Sequence, residues 1–61
     1  MTTFIHQSEN RHAYIKEISG YYYAILGQVK FPDDNVVIKP YKTFRGAQKK
    51  LNEMGFFAEL F

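Results

Sequence analysis

Apolar residues recur at two different periods along this chain. From His12 to Ser19 (HAYIKEIS) they alternate, with Tyr14, Lys16 and Ile18 on one side and Ala13, Ile15 and Glu17 on the other, the pattern of an extended strand. Ser19-Gly20 separates this run from Tyr21 to Val29 (YYYAILGQV), the densest β-forming stretch, so the two runs predict a hairpin. Along the second run Tyr21, Tyr23, Ile25, Val29 and Phe31 share one face, and Tyr22, Ala24, Leu26, Gln28 and Lys30 share the other. The bulkier odd-numbered set is the expected core face, with Gly27 leaving a gap in it. Pro32 to Asn35 reads as a turn, because proline presets φ and the three Asx side chains can bond their own backbone. Val36 to Lys39 then predicts a third strand that Pro40 should end.

The period changes after Thr43. Phe44, Ala47, Leu51 and Met54 recur at spacings of 3, 4 and 3, which is one stripe of a helix. Thr43 is the expected N-cap. Gly55 is the expected stop, with Leu51 and Phe56 forming the apolar contact of a Schellman cap. Gly46 in the first turn costs about 1 kcal/mol relative to alanine, and close approach of helix to sheet would account for it. Thr2 to His6 (TTFIH) suits a short edge strand or arm that continues through Asn10. The expected fold is α+β: a three-stranded antiparallel meander, four-stranded if the opening segment joins it, with one C-terminal helix across one face. The other face is then bare.

The length of 61 residues sets one domain, and such a chain buries only about 60% of its unfolded surface. With no cysteine there is no disulfide framework and no thiolate, so packing of the eleven aromatic residues must hold the fold. No secretory leader or membrane-spanning run is read from the sequence, and the expected compartment is the cytoplasm. The net charge of +2 hides an uneven distribution. Residues 35 to 52 hold five cations (Lys39, Lys42, Arg45, Lys49, Lys50) and no anion; the remainder holds three cations and six anions, so the segments carry +5 and −3.

Catalytic chemistry finds little to stand on. His6, Glu9 and His12 fit no helical ligand spacing and lack sulfur partners, so a structural reading outweighs a metal site. Asp33 and Asp34 are adjacent in a turn and point apart. Ser19 is a turn residue, Ser8 lies in the polar arm, and the four glycines form no phosphate cradle. No enzyme and no cofactor are expected.

Binding surfaces are better represented. The sequence reading assigns nucleic-acid contact to Lys39, Lys42, Arg45, Lys49 and Lys50 with Tyr22 and Lys30, an aromatic and basic combination suited to phosphate contact and base stacking. The bland reading is a solvated helix face, with Lys49 and Glu53 a routine pair. Tyr22, Phe57, Leu60 and Phe61 form the competing set, a protein interface or homodimer contact. In Phe56 to Phe61 (FFAELF) four of six residues are large and apolar, where chain ends are usually polar.

The segment Tyr41 to Phe56 (YKTFRGAQKKLNEMGF), following a β-hairpin, resembles the closing part of the small β-β-β-α domains at the N-terminus of phage and transposon integrases. Lys39 and Lys42 precede the helix as the basic strand does there, Thr43 and Phe44 open it, and Ala47 and Leu51 lie on its packed face. The resemblance implies DNA contact through the sheet. The acidic turn between Phe31 and Val36 departs from that pattern. A free-standing domain of this type would look like a phage or mobile-element accessory protein, many of which bind a host protein.

Overall fold

A computed structural model of the chain describes residues 2–59. In chain order it contains β1 (Thr2–His6), β2 (His12–Ile18), β3 (Tyr21–Leu26), a 3-10 turn (Pro32–Asp34), β4 (Val36–Tyr41), α1 (Phe44–Glu53) and β5 (Phe56–Ala58). The five strands form one antiparallel sheet in the order β4-β3-β2-β1-β5. Successive hairpins build the first four strands. The helix then carries the chain from one edge of the sheet to the other, where β5 pairs with β1.

The α+β class is as the sequence reads, but the sheet has more strands than the expected three or four. Thr2 to His6 is neither an arm nor an edge. It pairs with β2 on one side (Thr2 with Ile15, Phe4 with Ala13) and with β5 on the other (Phe4 with Ala58, His6 with Phe56). The apolar tail expected from residue 56 onward begins as a strand, and Leu60 and Phe61 lie outside the described residues.

The helix forms as its caps dictate. Thr43 has extended backbone, and its hydroxyl accepts from the Gly46 N–H at 3.1 Å. The stripe Phe44, Ala47, Leu51, Met54 faces the sheet, with Ala47 and Leu51 fully buried. A side chain on Gly46 would lie 3.3 Å from both the Thr43 hydroxyl and the Tyr41 ring, so the close approach there is to the end of β4. At the other end Gly55 adopts φ +95° and its N–H donates to the Asn52 carbonyl at 3.1 Å. Leu51 and Phe56 are both buried beneath it, the contact such caps commonly make.

The core between helix and sheet is Phe4, Ala13, Ile15, Ala24, Ala47, Leu51 and Phe56. Three alanines in that set, none more than 1% exposed, let the helix sit close to the sheet, while Phe4, Phe56 and Leu51 fill the volume around them. This reverses the expected facing of β3. Ala24 pairs with Ile15 and Tyr22 with Glu17, so the even residues of β3 lie under the helix and the odd residues face away. The bulkier set is therefore outside and the smaller set inside, because close helix approach rewards small side chains more than large ones.

β4 runs on through Pro40 to Tyr41 instead of ending at Lys39. Proline is tolerated there because β4 is an edge strand, where one row of backbone donors has no partner to satisfy. Ala24 pairs with Lys39 and Ile25 with Val37, leaving Ile38 as an extra residue in a bulge. Ile38 and Tyr41 pack on the rim of the core.

Candidate functional site

The reverse face of the sheet follows from the strand register. Phe57, Ile5 and His12 lie across it in one row, Thr3, Tyr14, Ile25 and Val37 in the next, and Lys16 with Tyr23 and Ile18 with Tyr21 beyond them. Neither Thr2–His6 nor Phe56 and Phe57 roof this face, since both segments are strands within the sheet. Ile5, Ile18, Tyr21, Val37 and Phe57 remain between 44% and 53% exposed.

Part of the face is nevertheless covered, by a segment for which the sequence predicts a strand end and a turn. The chain from Gly27 to Asn35 folds back across the lower rows, and Tyr14 and Ile25 are buried. Its start is held by the Gly27 N–H donating to the His12 carbonyl at 2.8 Å. Its end is held by the Asn35 side-chain amide, whose Nδ2–H donates to the Tyr14 hydroxyl at 2.7 Å. Gly27 has φ +131°, and a Cβ there would overlap Asn35 Oδ1, so only glycine admits the asparagine to this position. Asn35 Oδ1 is buried without a partner, a loss of about 1–3 kcal/mol. A fold that carries that cost keeps the clasp for the geometry it imposes. Tyr14→Phe strands the amide donor as well and is expected to lower stability by about 1–2 kcal/mol, measured by urea denaturation. A change under about 0.3 kcal/mol would show that the clasp contributes little.

Between this loop and the sheet lies a cleft of about 310 Å³, lined by Thr3, His12, Tyr14, Val29, Lys30 and Glu59 among others. Sequence reasoning missed it. The available signal was the out-of-phase Gly27 combined with an asparagine at the end of the turn, a pair that reads as loop chemistry until the two residues are seen in contact.

The basic residues occupy the other side of the molecule. Arg45 and Lys49 lie on the outer surface of α1, in a shallow groove shared with Gln48, Asn52 and Glu53. Lys42 lies in the turn before the helix, and Lys39 extends over the Tyr41 ring at 5.2 Å. Lys50, half-buried, is in the last turn of the helix. Among the described residues the one ion pair of full charges joins Arg11 to Glu9 at 3.2 Å, and His6 Nε2 lies 3.7 Å from the same carboxylate. None of the five cations is therefore neutralised by a carboxylate of the described residues, and the expected Lys49 to Glu53 pair is not formed.

The predicted contact set is thus divided. Tyr22 lies on the helix side, half-buried, edge-on to Phe44 at 6.1 Å. Lys30 and Phe57 belong to the reverse side. One flat ligand cannot touch Phe57 and Arg45 together.

The histidines are separated as well. His12 lies on the reverse face and His6 on the helix side. His6 Nδ1 accepts from the Ser8 and Glu9 N–H groups at 3.2 and 3.1 Å, which assigns the proton to Nε2, facing the Met54 carbonyl at 3.2 Å. Its ring meets Phe56 edge-on at 5.0 Å. These contacts tie the β1–β2 loop to the end of the helix. Among the described residues no three His, Asp or Glu side chains converge as metal ligands, and no helix is long and apolar enough to cross a membrane.

No family model, no curated protein and no solved structure matches this chain.

Proposed function

We propose that this chain is a small non-enzymatic binding module that contacts the phosphate backbone of nucleic acid through Lys39, Lys42, Arg45, Lys49 and Lys50. The observation that carries the reading is the concentration of five cations in and before α1, unpaired among the described residues, with no acid between residues 35 and 52. Lys42 and Arg45 also flank the N-terminus of the helix, where the macrodipole repels them by about 0.3–1 kcal/mol each. A phosphate at that end would relieve the repulsion and meet the free N–H groups of the first turn. Tyr22, packed against Phe44, stiffens the support beneath the helix and makes no base contact in this reading.

Binding through five phosphates gives a plot of log K against log salt with a slope of about −4.5 for a duplex. Lys42→Glu with Lys49→Glu is expected to flatten it by about 2, read by fluorescence anisotropy on labelled DNA. Unchanged anisotropy at low salt, with the protein folded, would end this reading.

A second reading is favoured by a separate observation, the apolar side chains left exposed on the reverse face. In it the partner is a protein surface, or a second copy of this chain, that covers Ile5, Ile18, Tyr21 and Phe57. The two are separable because they use opposite sides. Phe57→Ser should abolish concentration-dependent association in sedimentation while leaving the salt slope unaltered.

A further inference from the structure

We infer that the cleft between the Gly27–Phe31 loop and the reverse sheet face binds a free α-amino acid with an aromatic or branched apolar side chain. This inference does not depend on the nucleic-acid reading, whose residues lie on the other side of the sheet.

Three features of the cleft select this ligand. Its volume of about 310 Å³ stands at the small end of ligand pockets, which begin near 300 Å³, so it suits one compact molecule. Its body is apolar, formed by the Tyr14 ring, Val29 and the backbone around Gly27. Its charged lining consists of one cation and one anion, Lys30 from the loop and Glu59, the residue after β5; Lys30 Nζ rests over the Phe31 ring at 5.6 Å and would turn from there to meet a ligand. The two do not pair with each other. A zwitterion answers both: its carboxylate towards Lys30, its ammonium towards Glu59, and its side chain against Tyr14 and Val29. Thr3 and His12 supply further hydrogen-bonding groups on the floor.

The cleft is also formed in advance. The clasp between Asn35 and Tyr14, the bond from Gly27 to His12 and the turn bond from the Phe31 N–H to the Gln28 carbonyl at 3.0 Å fix both ends of the loop. A fixed cleft leaves little ordering cost to binding. The orphaned Asn35 oxygen is then part of the support for a binding loop, a place where incomplete satisfaction is commonly stored.

The test is an amide NMR titration of the full chain with L-phenylalanine, and in parallel with phenylacetate and phenethylamine, each of which lacks one of the two charges. Saturable shifts confined to Thr3, His12, Gly27 to Lys30 and Glu59 are expected, with Kd of about 1 mM for a ligand of this size. Each singly charged probe should bind at least about tenfold more weakly, a difference of about 1.4 kcal/mol. Thr3→Phe, which fills the cleft from an exposed strand position, should remove the shifts, and Lys30→Glu should weaken them about tenfold with the spectrum otherwise that of the folded chain. No saturation by about 10 mM, ten times the expected Kd, overturns the inference. So do equal affinities for the three probes, or shifts that survive Thr3→Phe. Movement of the same resonances with protein concentration alone would assign the cleft to a second copy and end the proposal.

Discussion

Phe56→Ala is expected to remove about 3–5 kcal/mol of stability, which for a chain of this length is at least a third of the roughly 3–9 kcal/mol available. Phe56 is fully buried and joins three parts of the fold. It packs with Leu51 beneath the helix, pairs with His6 across β1 and β5, and carries the Arg11 guanidinium over its ring at 5.4 Å. Its loss opens a cavity where helix, sheet and the β1–β2 loop meet. Urea denaturation followed by circular dichroism measures the effect. A cost below about 1 kcal/mol, well under the range for buried phenylalanine, would show that β5 is not docked in solution. Phe57→Ser next to it faces solvent on the reverse side and should change stability by no more than about 0.5 kcal/mol.

Gly55→Ala is the second large effect, about 2–4 kcal/mol, composed of the left-handed backbone penalty of about 1–2 kcal/mol and the loss of His6 contacts at about 0.5–1.5 kcal/mol each. Gly55 has φ +95°, and a Cβ there would sit 2.6 Å from His6 Nε2. His6 must then leave the Met54 carbonyl and release the Ser8 and Glu9 N–H groups, freeing the loop between β1 and β2. The two contributions separate in a double-mutant cycle. His6→Ala in the Gly55→Ala background removes the collision but not the backbone strain, so the substitutions should be coupled by more than about 1 kcal/mol. Additive costs would show that the imidazole does not occupy this position.

The parts of the fold legible in the sequence are those fixed by local chemistry. Thr43, the apolar stripe from Phe44 to Met54 and Gly55 define the helix without reference to anything else, and Ser19-Gly20 defines the hairpin. The facing of β3 was not legible, for a physical reason. Tyr21, Tyr22 and Tyr23 are chemically identical and give no contrast between the two sides. The choice then fell to bulk, and bulk misleads where Ala13, Ala24 and Ala47 bring a helix close. β5 was hidden for another reason: three residues carry too little period to announce a strand, and its pairing with β1 is set by the path of the helix across the sheet. The basic residues were legible as a group because charge is additive along the chain. Their separation from the aromatic surface depends on the sheet between them. The cleft was invisible because it arises from a contact between Gly27 and Asn35 across a loop, and neither residue signals the other.

The position of β1 between β2 and β5 bears on how the protein is made. During synthesis β1 emerges before β2 and can pair with it early, but its other edge must wait for Ala58, its Phe4 partner. Until then Phe4 lacks the lid that Leu51 and Phe56 provide. Pairings of such long sequence separation slow folding, so the nascent chain passes through a stage in which a four-stranded meander shows an unpaired edge and an uncovered phenylalanine. That stage, rather than the finished fold, is where chaperone capture or misassociation would occur.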